Sequence, residues 1–306
     1  MPEAAALPVT EAALAAFEPH RRRLWSLAYR MLGTRADADD AVQDCWLRWQ
    51  RAATEAAEPV RDAEAWLVTA CTRLCLDRLK AAPRRHGGYV GPWVPEPAMV
   101  ETAGDDDAVV PPPERHLERA QEVSLALLLM MERLSPAERA AYVLHELFEC
   151  GYGRLAAVLG RSETACRQLV SRARRRLGEQ APRFAVDAAA HATLVARFAH
   201  ALADGDLDGL TALLTAEAEA WNDGGGKVAS ALNVIVGGRR VARFLCGIQR
   251  KFGPYALRPC TANGRPALLI CRDGRLHGLL AVEPATVEAA GAGLVIFIRN
   301  PDKLPP

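Results

Sequence analysis

Apolar and polar positions alternate in four different ways along this chain. Across residues 11–80 the apolar residues recur every three or four positions, the spacing of amphipathic helices. Leu14, Phe17, Leu24, Leu27, Ala28 and Met31 mark one stripe, which Gly33 ends. A second helix is expected over about 36–50, with Ala41, Val42, Cys45, Trp46 and Trp49 inward. Its outer face is acidic and polar: Asp37, Asp40, Gln43 and Asp44. A third, over about 62–80, turns Ala63, Trp66, Leu67, Ala70 and Leu74 inward. It leaves Thr69, Thr72, Arg73, Arg78 and Lys80 outside. Trp46, Trp49 and Trp66 are read as core, although an aromatic can also stack on a displaced base.

Residues 81–113 break the helical pattern with a Pro/Gly-rich connector that includes Glu101 and Asp105–Asp107. The pattern returns over 114–180. A helix is expected from about Glu114 to Leu134, and Ser135-Pro136-Ala137-Glu138 forms a capping box with proline at the first helical position. The helix it starts turns Val143, Leu144, Leu147 and Phe148 inward, and the whole predicts a four-helix module.

That module ends in GYGRLAAVLGRSETACRQLVSRARRR (151–176). Tyr152, Leu155, Ala156 and Leu159 recur at helical spacing, Gly160 terminates the run, and Ser162 caps the next helix. Cys166, Leu169, Val170, Ala173 and Leu177 fall on one stripe of that helix, while Thr164, Arg167, Gln168, Ser171 and Arg175 fall on the other. One face that packs and one that enters a major groove make a helix-turn-helix. Thr164, Arg167 and Gln168 lie near the N-terminal end, where base edges are reached. Arginine suits guanine and glutamine suits adenine. Arg172, Arg174, Arg175 and Arg176 suit phosphates, which position without specifying. The alternative is an ordinary amphipathic helix with a solvated arginine face.

From residue 187 the pattern changes again. Helices are expected over 188–203, from Asp206 through Leu214, and over 239–252. Three β-prone runs follow, Ala267–Cys271, Leu276–Val282 and Gly293–Arg299, with Gly274 suggesting a hairpin. The reading is an α+β domain with a curled antiparallel sheet and a concave interior.

The 306 residues suffice for two or three domains, and the net charge of +1 requires any nucleic-acid surface to be segregated. The basic residues cluster at 21–23, 84–85 and 161–176. The first ten residues lack a signal peptide's basic start and apolar core, and the longest strongly apolar run, Leu125–Met131, is too short to span a bilayer. Eight scattered cysteines without a CxxC pair fit reduced thiols, so a cytoplasmic location without a membrane partner is expected. Cys71 and Cys75 read as a packing stripe.

The order of these pieces resembles an extracytoplasmic-function (ECF) sigma factor of bacterial RNA polymerase. DADDAVQDCWLRWQ (37–50) is similar to the region 2 helix that docks on the polymerase clamp. AWLVTACTRLCLDRLK (65–80) is similar to the helix that reads and opens the −10 element. SPAERAAYVLHELFECGYGRLAAVLGRSETACRQLVSRARRRL (135–177) is similar to region 4, which reads the −35 element. YVGPWVPEP (89–97), NDGGGK (222–227) and NPDKL (300–304) resemble the subfamily with a fused SnoaL-like domain. Arg73 stands where many relatives carry asparagine, and Val94 where leucine is common.

The resemblance implies region 2 over 11–80, a linker over 81–113, region 4 over 114–180 and a SnoaL-like, cone-shaped α+β domain over 187–306. It implies the clamp and flap of core polymerase and promoter DNA as partners, and no cofactor or metal. The −35 set would be Ser162, Thr164, Arg167, Gln168, Ser171, Arg172 and Arg175. The −10 set would be Thr69, Thr72, Arg73, Arg78 and Lys80, with a base pocket in the loop Arg51–Arg61. Asp37, Asp40, Gln43 and Asp44 would bind polymerase.

The last domain would be a built-in regulator. It would touch the connector through Tyr89 and Trp93 on one side and Asp223, Gly224, Gly225, Gly226, Lys227, Asn300, Pro301, Asp302 and Lys303 on the other. Asp105–Asp107 would either mimic nucleic acid near the polymerase active centre or form a solvated linker. Two other readings stay open. One is a ligand-sensing one-component helix-turn-helix regulator. The other is an enzyme with an appended DNA-binding module, using Asp223, Asp273, His277 or Glu283 as acid or base. The bland reading of Asp223 is a tight turn paired with Lys227, and catalysis is not expected.

Overall fold

A computed structural model describes residues 11–55, 60–86, 88–98, 100–102, 123–178, 187–285 and 291–304. The chain divides into two compact units. One comprises Met1–Pro83 with Leu134–Arg174, and the other Arg84–Arg133 with Arg175–Pro306.

In the first unit, helix α1 (Glu11–Leu32) and helix α2 (Arg35–Glu55) form a hairpin around Gly33, whose φ of 81° suits glycine. Their shared face buries Phe17, Leu24, Leu27, Met31 and Trp49, and the Trp49 indole donates to the Ala13 carbonyl at 2.9 Å. Leu14, expected inward, is exposed, because Ala13 and Phe17 take the inner stripe. Trp46 is half-buried with its ring against Phe17, and Trp66 is half-buried against Trp49.

Helix α3 (Ala63–His86) starts where the Asp62 carboxylate accepts from the Ala65 amide, and it runs six residues past the expected Lys80. Thr72, expected on its outer face, is fully buried. Its hydroxyl donates to the Val68 carbonyl at 2.7 Å, which lets a small polar side chain sit among Val68, Cys71 and Cys75. Residues 56–59, within the loop Arg51–Arg61, lie outside the described residues.

The Ser135 capping box is formed in full. Helix α5 (Pro136–Tyr142) continues into a π-helical turn, Val143–Leu147. That wider turn leaves Leu147 and Phe148 half-buried rather than in the core. Phe148 instead lies under the guanidinium groups of Arg23 and Arg30. Helices α6 (Tyr152–Leu159) and α7 (Glu163–Leu177) complete the helix-turn-helix.

The helix expected over 114–134 is described only as α4, Leu125–Met131, and residues 103–122 lie outside the described residues, Asp105–Asp107 among them. By compactness this helix falls in the second unit, while Leu134–Arg174 falls in the first. Ser124 caps it, all seven of its residues are buried, and Arg133 just beyond it pairs with Glu219 at 3.3 Å.

The second unit holds a seven-stranded sheet in the order β1-β4-β5-β6-β7-β2-β3. Its strands are β1 (Val100–Thr102), β2 (Leu214–Asp223), β3 (Ile235–Val236), β4 (Ala256–Ala262), β5 (Arg265–Arg272), β6 (Arg275–Pro284) and β7 (Ala292–Ile298). The sheet is mixed rather than antiparallel, because β2 runs parallel to β7, while the other pairs are antiparallel. Helices α8 (Ala188–Ala203), α9 (Leu207–Leu213) and α10 (Gly238–Phe252) pack on it. Phe198, Leu202, Val241, Leu245, Leu280 and Phe297 fill the core between them. The connector itself supplies β1, which pairs with β4. Among the described residues no helix is long and apolar enough to cross a membrane.

Candidate nucleic-acid interface and connector latch

Helix α6 ends where Gly160 adopts φ 62° and ψ 40°, the left-handed turn that aims α7 away. Ser162 then accepts from the Ala165 amide at 3.2 Å. Cys166, Leu169, Val170, Ala173 and Leu177 are buried, so the opposite face is free by geometry alone. Ser162, Thr164, Arg167, Gln168, Ser171 and Arg175 all lie exposed on it. Arg167 is pre-placed by Glu163 at 2.9 Å and by the Tyr152 ring beneath its guanidinium.

Two arginines differ from the sequence reading. Arg172 is half-buried and donates to Glu138 at 3.1 Å, while Arg174 forks onto Glu146 at 2.6 and 3.0 Å. Each neutralises a carboxylate of α5 or the turn after it, so neither presents an uncompensated charge. Arg174, Arg175 and Arg176 are all exposed at this end of α7.

On α3, Arg73 and Lys80 are exposed, and Thr69 is half-buried with its hydroxyl turned back to the Ala65 carbonyl. Arg78 faces α2 instead of solvent. It bonds Asp44 at 2.6 Å and lies 3.6 Å from Asp40 and 3.8 Å from Asp37. Burial works against its charge, and the three carboxylates more than offset this, raising its pKa. The residues proposed for polymerase and one proposed for DNA thus form a single charge cluster, with Gln43 exposed beside it.

The second unit contains a different kind of site. Asp223 ends β2 fully buried. Its carboxylate accepts from the Tyr89 hydroxyl at 2.5 Å, the Val94 amide at 3.0 Å, the Gly225 amide at 3.0 Å and the Lys303 ammonium at 2.7 Å. Its own carbonyl accepts from the Arg299 and Asn300 amides. Lys303 also donates to the Val94 carbonyl at 2.6 Å and sits over the rings of Tyr89 and Trp93. Asn300 caps the short turn Pro301–Lys303 through the Asp302 amide and donates to the Tyr89 hydroxyl.

A buried carboxylate with four donors and a buried ammonium with a paired anion, a carbonyl and two aromatic faces satisfy each other. Burial lowers the Lys303 pKa against the pull of Asp223. Burial and the Asp223 charge raise that of Tyr89, so its phenol stays a donor.

The glycines of DGGGK serve this geometry. Gly225 has φ 59°, and a Cβ there would strike the Asn300 side chain, while one on Gly226 would press on Val90 and one on Gly224 on Ser230 and the Val228 carbonyl. The expected Asp223–Lys227 pair does not form. Lys227 pairs with Asp302, because Lys303 already occupies the Asp223 carboxylate.

The remaining acid and base candidates are dispersed. Asp273 is exposed in the β5–β6 turn, His277 is half-buried near Tyr255, and Glu283 is buried 3.4 Å from Arg265. Asn263 was missed from sequence. Its carboxamide accepts from the Ala98 amide at 2.9 Å and donates to the Val123 carbonyl at 3.0 Å. The Asn-Gly dipeptide at 263–264 signalled a tight turn, but nothing in the sequence signalled what its side chain would hold.

Comparison with known proteins fits this layout. The family model Sigma-70 region 2 matches residues 16–85, and the model Sigma-70, region 4 matches residues 124–177. The chain is 38% identical over 295 residues to the ECF RNA polymerase sigma factor SigJ of Mycobacterium tuberculosis, covering 94% of this chain and 91% of that one. It is 34% identical over 304 residues to the probable ECF RNA polymerase sigma factor SigI of the same species, covering 95% and 94%. The crystal structure of SigJ superposes with a TM-score of 0.71 at 34% identity, over 95% of this chain and 97% of that one. With both sigma regions, the fused α+β domain and relatives aligned along almost their full length, the chain belongs to the ECF branch of the sigma-70 family, which comprises transcription initiation factors and not enzymes.

Proposed function

We propose that this sigma factor joins core RNA polymerase through the α2 face of Asp37, Asp40, Gln43 and Asp44. Arg78 organises that face. Helix α7 reads the −35 element with Thr164, Arg167 and Gln168, while Ser162, Ser171 and Arg175 hold the flanking backbone. On α3, Thr69, Arg73 and Lys80 meet the −10 element. The C-terminal domain acts as the resident regulator by holding the connector, and so sets how far the two DNA-reading modules separate.

The observation that carries this reading is the buried Asp223–Lys303 pair closed over Tyr89, Trp93 and Val94. Asp223 and Lys303, 80 residues apart, bury opposite charges on one another, and the connector more than a hundred residues away closes over them. Such a pair is stable only when every partner is in place.

The test is reconstituted transcription with core polymerase, comparing the native full-length chain with Asp223→Ala and with Tyr89→Phe. The native chain should start RNA synthesis that core alone does not, and Asp223→Ala should change output several-fold. Tyr89→Phe should act in the same direction, more weakly. Unchanged output from Asp223→Ala would remove the regulatory role. Failure of the native chain to start synthesis on any promoter would remove the whole reading.

A further inference from the structure

Asn263 occupies the left-handed first position of an Asn-Gly turn between β4 and β5, with φ 49°, and is 4% exposed. The carboxamide oxygen takes the Ala98 amide, at the end of the YVGPWVPEP segment. The carboxamide nitrogen goes to the Val123 carbonyl, immediately before α4. One side chain therefore joins the point where the connector reaches the C-terminal domain to the point where it leaves.

The two backbone atoms lie under about 8 Å apart, since both bond one planar amide. The chain between them is about 25 residues long and would reach about 80–90 Å if extended. Pairing of Val100 with Ala262 and of Thr102 with Cys260 fixes the entry side. The Arg133–Glu219 pair fixes the exit side beyond α4.

We propose that Asn263 short-circuits the linker. By joining Ala98 to Val123 beside the β1–β4 pairing, it removes residues 103–122 from the tether between region 2 and region 4. It thereby determines which distances between the two promoter elements the chain accepts. This rests on the reading that the C-terminal domain governs the sigma regions through the connector. It assigns a role to a residue outside the latch and makes a separate demand. The sequence of the excursion is immaterial to spacing, while the carboxamide that closes it is not. A shorter tether gives each module a higher effective concentration at its element and a narrower range of reach.

The experiment uses the full chain with core polymerase and a library of promoters recovered from random DNA by the native holoenzyme. Each promoter is then rebuilt with its spacer changed in single base-pair steps. Asn263→Gly keeps the positive φ without strain and removes only the carboxamide. It should lower peak output about 3- to 10-fold and raise relative output at spacers away from the optimum.

Asn263→Asp keeps the acceptor for Ala98 but loses the donor to Val123. It should leave the Ala98 amide protected from hydrogen exchange while broadening spacer preference as Asn263→Gly does. Replacing residues 104–121 by about eight Gly/Ser residues should leave the optimum unchanged. A native spacer profile in Asn263→Gly, or an optimum shifted by the replacement, overturns the inference. If Asp223→Ala changes output while Asn263→Gly keeps the native profile, only this inference falls. If neither changes anything, the regulatory reading falls with it.

Discussion

Replacing Lys303 by methionine tests the latch most directly, because it keeps the aliphatic stem and removes only the ammonium. Asp223 then stays fully buried with three donors instead of four, and the Val94 carbonyl loses its partner. Removing one member of a buried pair typically destabilises by about 3–5 kcal/mol. The Tyr89 hydroxyl and the Val94 and Gly225 amides still hold the carboxylate, which brings the expected loss to about 2–3 kcal/mol. The loss is local, so native-state hydrogen exchange at the Val94 amide is the assay. Its opening should become roughly 30- to 150-fold faster, since each 1.4 kcal/mol is tenfold. Asp223→Asn should give a comparable loss, and the double variant should recover about 1.5 kcal/mol or more of the summed effect as coupling. An exchange rate within about threefold of native, or additive losses, would refute the argument that this ion pair holds the connector.

Other consequences follow from the same geometry. Arg175→Ala should weaken promoter binding by region 4 evenly across sequences and reduce the salt slope by about one, whereas Gln168→Ala should relax preference at one base position. Competition binding at several salt concentrations separates the two. Arg172→Ala should leave the salt slope unchanged and instead lower thermal stability, because the buried Glu138 of the capping box would lose the guanidinium that meets it at 3.1 Å. Gly225→Ala should loosen the latch by about 1–2 kcal/mol from the left-handed backbone alone, read by the same Val94 exchange, and a native rate there would contradict it.

His191 is buried with Nε2 on the Val282 carbonyl, and burial lowers its pKa despite the nearby Glu283. The unfolded chain then takes up a proton that the folded one resists. Stability is therefore complete above about pH 6.5 and falls as the pH drops through the lower folded value. His191→Gln should flatten the melting-temperature loss between about pH 7.5 and pH 5.5, and an unchanged slope would remove His191 as its source.

The elements set by local periodicity were legible. Helices α8 and α10 lie where spacing places them, and the Ser135 and Asp206 caps form because their partners are three residues away. The exposed face of α7 was legible for the same reason, since burying Cys166, Leu169 and Val170 leaves Thr164, Arg167 and Gln168 no other side. What failed depends on partners distant in sequence. Strand β2 reads LTAEAEAWND, with an acidic outer row and small inner residues. Its neighbours β7 and β3, distant in sequence, make it a strand. Strand β4 contains Pro259, which lowers its β signal, and β1 is only three residues long and exists by pairing with β4.

The same limit governed the charges. Arg78 and Arg172 read as phosphate holders because an outward arginine on a helix has no visible partner in one dimension. In three dimensions Asp44 and Glu138, each 34 residues away, meet them. The latch itself was half legible. The strings NDGGGK, NPDKL and YVGPWVPEP announced that three segments share a surface, but the pairing inside them went to Lys303 rather than Lys227. Proximity in sequence favoured Lys227. Burial decided otherwise: Lys227 is half-exposed and Asp302 meets it in solvent, whereas Lys303 is sealed beneath Tyr89 and Trp93, where a bare carboxylate needs a cation. A buried charge selects the partner that can be buried with it, and that selection is written in the packing of the connector, not in the spacing of the motif.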